Sequence, residues 1–204
     1  MTIDTSNLLN SIMDSIDRVD YVHAADIPNI DLYMDQVTTF MESQLSSTKR
    51  YESDKILTKT MINNYAKNKL LPPPDKKKYS REHILILIFI YYFKNILSIK
   101  DIQTLLNPIT DKYFHKDGDV SLTDIYEEIC SSAKSQLPDL ADSVNAAYTN
   151  AAAAFSDAQE EDRGQLQFFA FISNLCLDIY VKQLLVEKLL DEADGADFSD
   201  QSPK

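Results

Sequence analysis

Three glycines in 204 residues, Gly118, Gly164 and Gly195, leave this chain few ways to turn tightly. Glycine takes a left-handed backbone without strain, and hairpins and phosphate-cradling loops both draw on it. A hairpin-rich fold or a Gly-rich nucleotide loop is therefore disfavoured, and helix is the expected class. With 44% hydrophobic and 25% charged residues, the chain has the material for a core and does not read as disordered.

The net charge of −12 argues against nucleic acid until its distribution is considered. Between Lys49 and Lys100 there are twelve Lys or Arg and four Asp or Glu, a net of +8, which leaves −20 for the rest. A compact basic module on an acidic body concentrates positive potential on one face.

Apolar rhythm and breakers divide the chain. Leu8, Leu9, Ile12, Ile16 and Val19 form one helical stripe. After the break at Asp26–Asp31, with Asp31 as cap, Leu32, Val37, Phe40, Met41 and Leu45 predict a second helix. Residues 46–57 are polar and read as loop. Thr58 or Thr60 caps a short helix to about Asn68, with Met61, Ile62, Tyr65 and Ala66 inside. Pro72–Pro74 stop it, and Leu70–Leu71 and Tyr79 read as two short extended arms around a tip at Asp75–Lys78. Ser80 caps the apolar run ILILIFIYYF; cap and length favour helix over strand. Ser98–Asp101 reads as a capping box for a helix to Leu106, ended by Pro108. Beyond it the chain reads as helical: from Ser121 to about Ser135, from Pro138 through the alanines at 151–154, and from about Glu161 to Ala193.

Helix, loop, short basic helix, basic hairpin, apolar helix and helix make the plan of a winged helix-turn-helix. The expected fold is all-α with a minimal β-hairpin wing, followed by a helical bundle. Residues 1–25 are an N-terminal helical segment, 26–108 the winged unit, 118–195 an all-helical dimerisation or effector domain, and 196–204 a disordered tail. Thr60, Asn63, Asn64 and Lys67 share one outward face of the short helix. The major groove admits one helix, and Asn suits bidentate contact with adenine. Lys59, Lys67 and Lys69 can pair with phosphates, and Lys76, Lys77 and Lys78 at the tip can reach the backbone or minor groove.

The stretch MINNYAKNKLLPPPDKKKYSREHILILIFIYYFKNILSIKDIQTLL resembles the DNA-binding domain of MerR-type regulators. The resemblance is carried by Tyr65, Leu70-Leu71-Pro72-Pro73, Lys76–Ser80, and Ser98-Ile99 with Ile102, Leu105 and Leu106. It implies that Tyr65 touches a phosphate and packs the wing, that Lys78 and Tyr79 lie against the DNA backbone, and that Arg81 opens the third helix near DNA. Asn63 replaces the family's recognition-helix arginine, the loop Ser46–Leu57 is longer, and the wing is shorter. The whole chain, with IPNIDLYMDQVTTFMESQL, also resembles an uncharacterised bacterial family of DUF1836 type, often labelled as regulators.

The expected function is a bacterial, cytoplasmic, DNA-binding transcriptional regulator with double-stranded DNA as partner. The alternative is a helical interaction module whose basic patch docks an acidic protein. Phe168, Phe169, Phe171, Ile172, Leu175 and Ile179 are the expected homodimer surface, or else that domain's own core, with room for a small-molecule effector around Ala151–Ala154. His23, His83 and His115 lack metal-ligand spacing, so no metal or cofactor is expected. No GxSxG, P-loop or HExxH occurs, so no enzyme is expected. Cys130 and Cys176 read as buried reduced thiols. Ile84–Phe93 is too short to span a bilayer, and polar residues interrupt Leu166–Leu190, so no membrane is expected.

Overall fold

The computed structural model describes residues 5–17, 19–116 and 118–195. The fold is all-α, with one pair of two-residue strands among the described residues. The tail 196–204, expected to be disordered, lies outside them. Two compact units emerge: the chain up to Tyr21 with Cys130–Val186, and Val22–Ile129 with the end of the last helix from Glu187.

In the unit built on Val22–Ile129, β1 (Leu32–Tyr33) runs into α2 (Met34–Leu45), and a loop leads to α3 (Lys59–Lys67). A turn then carries β2 (Lys78–Tyr79) into α4 (Arg81–Phe93), α5 (Ile99–Tyr113) and α6 (Leu122–Ser135). Helix α4 is the centre. Every residue from His83 to Ile90 is buried. A helix apolar all round must be enclosed on all sides, and burying those seven apolar side chains contributes roughly 10–20 kcal/mol of gross transfer free energy. Phe89 of α4 meets Tyr126 of α6 edge-on at 5.3 Å. The Tyr126 hydroxyl donates to the Val22 carbonyl at 2.6 Å, tying the first residue of the unit to its last helix. Tyr126→Phe leaves that buried carbonyl unpaired, so urea denaturation should show a loss of about 1–3 kcal/mol.

The caps follow local rules. Thr58 Oγ1 accepts from Met61 N–H at 3.2 Å. Ser98 and Asp101 exchange bonds of 3.2 and 3.1 Å, as do Ser121 and Asp124 at 3.2 and 2.8 Å. The hydroxyl and backbone of Ser121, both donating to the Asp124 carboxylate, hold its pKa below the ordinary value.

Two expectations need correction here. Pro108 does not end α5, which runs on to Tyr113. Ile102, Leu106 and Thr110 are buried at four-residue spacing, and their burial outweighs the hydrogen bond that proline removes. Leu32 does not open α2: Leu32 and Tyr33 are extended, and the Gln36 side chain accepts the Tyr33 N–H at 2.8 Å to start the helix.

In the other unit, α1 (Thr5–Asp17) packs on α7 (Leu137–Ala153). Val144, Ala151 and Phe171 form its core, with Leu9, Met13, Ile16, Tyr148 and Leu175 against it. Phe171 and Leu175 come from α8 (Glu160–Gly195). By length and composition Glu160–Ala193 could cross a membrane, and only 6% of its most apolar window is buried. The expected dimer or effector surface therefore divides. Phe171 is core, Phe168 and Leu175 are half-buried, and Phe169, Ile172 and Ile179 are exposed. Cys130 is half-buried and Cys176 exposed, rather than both buried, and neither is in a disulfide. Of the alanines expected to border an effector pocket, Ala151 is core, Ala152 and Ala153 are exposed and Ala154 is half-buried, and Gln167 Nε2 donates to the carbonyls of Ala152 and Ala154 at 2.6 and 3.1 Å. A cleft of about 410 Å³ opens elsewhere in this unit, beside Tyr21, Leu137, Asp139, Leu140, Ser143 and Lys182.

Candidate nucleic-acid interface

Helix α3 is nine residues long and sharply two-sided. Ile62 and Tyr65 are buried, while Lys59, Thr60, Asn63, Asn64 and Lys67 are exposed. The outward face expected from spacing is thus open to solvent. The end of α3 is built without glycine. Lys69 sits at φ 58°, Lys69 N–H donates to Ala66 O at 3.1 Å, and Leu70 N–H donates to Tyr65 O at 2.9 Å. That is a Schellman turn with lysine at the left-handed position glycine normally takes. Leu71 N–H also reaches Tyr65 O, at 3.3 Å.

The expected hairpin arms are corrected. Leu70 and Leu71 are buried in the turn that closes α3, not in a strand. The hairpin is a two-residue turn: Asp75 bridges Lys78, with Lys78 N–H donating to Asp75 O at 2.8 Å. Lys76 and Lys77 occupy the corners at φ 47° and 66°. Beyond the turn, β2 pairs antiparallel with β1, Leu32 opposite Tyr79 and Tyr33 opposite Lys78. A two-residue strand has no periodicity to betray it, so the pairing was not legible in sequence.

The segment Tyr33–Asp35 joins α3 to the hairpin. Lys59, at the start of α3, is ion-paired with Asp35. Two residues away, Lys78 Nζ lies over the Tyr33 ring, 5.5 Å from its centroid. The beginning of α3 and the base of the hairpin therefore meet at one corner.

Several residues expected at or near the interface are buried or half-buried. Tyr65 and Tyr79 are buried, and burial raises both phenol pKa values. The Arg81 guanidinium donates to Ala24 O at 2.6 Å. Tyr65 and Tyr79 thus support the corner from within, which leaves little of them for the phosphate and backbone contacts the MerR resemblance implied, while Arg81 is half-buried with its guanidinium held by backbone. Lys94 likewise donates to Ile56 O at 2.7 Å beside the Tyr91 ring, and burial lowers its pKa. Lys49 bonds Glu42, and that bond holds the Glu42 pKa below its ordinary value. Lys67, Lys69, Lys76 and Lys77 are exposed and ion-pair with none of the described residues.

Sequence reasoning missed His83. It is 2% exposed at the first turn of α4. Its Nδ1 accepts the Ser80 N–H at 3.0 Å, which puts the ring proton on Nε2, 3.4 Å from the Pro73 carbonyl. Tyr79, Phe114 and His115 pack around the ring. His115 Nε2 lies 2.9 Å from Ser80 Oγ, and His115 N–H donates to Glu82 at 2.7 Å. His83 thus joins the proline run that leads to the hairpin to the cap of α4. The available signal was a histidine three residues after Ser80, where a capping box places an acceptor.

A family described as "Domain of unknown function (DUF1836)" matches residues 22–129, over half the chain. The chain belongs to the DUF1836 family. The matched residues coincide with the Val22–Ile129 part of one compact unit, so the DUF1836 domain holds the whole corner. No curated protein and no solved structure matches the chain.

Proposed function

We propose that the DUF1836 domain binds double-stranded DNA and that the chain acts as a transcriptional regulator. In this reading α3 enters the major groove, with Asn63 and Asn64 at base edges, while the hairpin lies along the phosphates. The order α2, loop, α3, two-residue hairpin and α4 supports a winged helix-turn-helix of MerR-like plan.

The observation that carries the reading is the identity of the residues in left-handed backbone. Among the described residues no glycine takes positive φ, and three of the five residues that do are Lys69, Lys76 and Lys77. A non-glycine residue there costs on the order of 1–2 kcal/mol. Lysine lacks the short polar group by which Asn or Asp eases that conformation. Strain kept at adjoining exposed turns, each bearing a cation, marks a place where the charge is needed. Phosphate contacts use such charge without reading sequence, and base contacts from α3 would supply the specificity.

Selection of bound sequences from random duplex DNA, followed by titration against salt, tests this. The expected result is an enriched motif whose binding weakens steeply as salt rises. A salt-independent signal, or release of DNA only by an acidic protein, would count against it. Asn63→Ala should relax preference at one base pair, by about 1–3 kcal/mol, while affinity for unrelated DNA holds. Equal loss on every sequence would remove Asn63 from base reading.

A further inference from the structure

We propose that α8 docks a second copy of this chain along a seam in Phe169–Val186. Phe169, Ile172, Cys176, Ile179, Gln183 and Val186 follow one another at alternating three- and four-residue spacing. That is the repeat by which one helix interlocks with another along a shared stripe. All six are exposed except Gln183, which is half-buried. The inner side of the same helix is already used, since Phe171 and Leu175 pack with Val144 and Ala151. The seam is thus a second face with no core of its own.

Phe169, Ile172, Ile179 and Val186 on the seam, with Tyr180 beside it, are between 38% and 67% exposed. Together they leave on the order of 600 Å² of apolar surface per chain, most of the about 800 Å² that each partner buries in a standard interface. The only charged side chains in Phe169–Val186, Asp178 and Lys182, bond each other at 2.7 Å and ask nothing of a partner. A neutral, self-matching stripe suits an isologous two-fold contact, the commonest way soluble chains pair.

Lipid is the poorer occupant. Glu160, Glu161 and Asp162 precede the stretch, and Glu187, Asp191 and Glu192 follow it. Anionic membrane surfaces repel such flanks and attract basic ones. Pairing through α8 stands whether or not the DUF1836 domain binds DNA.

Sedimentation of the full chain at micromolar concentration tests the seam. A species of twice the 23.2 kDa chain mass is expected. Ile179→Glu with Val186→Glu should raise the dimer dissociation constant at least a hundredfold. Helicity by circular dichroism should not change, because both side chains are exposed in the single chain. Val181→Glu, exposed but off the seam, should leave the dimer intact. A monomer throughout, a dimer indifferent to the double substitution, dissociation by Val181→Glu alike, or flotation with phosphatidylglycerol vesicles in place of pairing would each overturn the proposal. Binding of duplex DNA by the dissociated double variant would separate loss of the seam from failure of the DNA reading.

Discussion

Replacing Lys76 and Lys77 by Asn and Gly is expected to stabilise the protein and, at the same stroke, to weaken the proposed binding of DNA. The two corners of the hairpin stand at φ 47° and 66°, where both central residues of a type I′ turn must lie. Asn-Gly is the sequence that turn prefers. Relief of strain, less the entropy glycine adds to the unfolded chain, should add about 1 kcal/mol, or ~2–4 °C in melting temperature for a chain of this size. If the hairpin lies along the phosphates as proposed, loss of two such contacts should flatten the salt slope by about 2 and lower affinity roughly 30-fold near physiological salt.

Two further variants divide strain from charge. Lys76→Gln with Lys77→Gln keeps the backbone penalty and loses the cations, so stability should hold while binding falls as before. Lys76→Arg with Lys77→Arg keeps both, and both readouts should stay near wild type. Scanning calorimetry and fluorescence anisotropy read the two quantities separately. Unchanged affinity and salt slope in the Asn-Gly variant, with wild type binding duplex, would take the hairpin out of the DNA contact and leave its lysines unexplained.

How much of this corner was legible in the sequence depends on how local each signal is. The caps at Thr58, Ser98 and Ser121 were legible because a side chain meets a backbone group three residues on. The two-sidedness of α3 was legible because 3.6-residue periodicity places Ile62 and Tyr65 opposite Asn63 and Lys67. The hairpin tip was placed correctly by three prolines and a lysine run. What escaped depends on distant chain. β2 finds its partner at Leu32–Tyr33, far upstream. Arg81 and Lys94 look like any cations until Ala24 and Ile56 present carbonyls to them. Pro108 looked like a stop because its neighbours' burial was unknown. On α8 a long apolar pattern reads alike for a core helix and for one awaiting a partner, and only exposure tells them apart.

The protein should lose about 2 kcal/mol of stability between pH 7 and pH 5 through His83 alone. Burial pushes the His83 pKa from 6.5 down to about 4, and the His115 ring adds to the push; the carbonyls of Pro73 and Pro72 and the Asp31 carboxylate pull the other way. In the unfolded chain the imidazole takes up a proton as pH falls through about 6.5, while in the folded chain it does not until about 4. The unfolded state therefore binds more protons throughout that window, and stability rises with pH across it. The contribution is complete above pH 6.5, declines as pH falls, and has removed about 3 kcal/mol by pH 4. The cause is structural: a proton on Nδ1 would displace the Ser80 N–H that caps α4. Glutamine at this position can reach the same N–H as the acceptor of a capping box. His83→Gln should therefore keep most of the stability at pH 7 and flatten the dependence between pH 6.5 and 4.5. His83→Ala should lie about 2–3 kcal/mol below His83→Gln at every pH in that range, through the unpaired N–H and the emptied space, so its deficit against wild type is largest at pH 7 and shrinks as pH falls. Urea denaturation at a series of pH values measures each slope, and proton NMR of the His83 ring reads its pKa directly. A ring that titrates near 6.5 in the folded protein, or a His83→Gln slope equal to wild type, would mean that acid acts elsewhere.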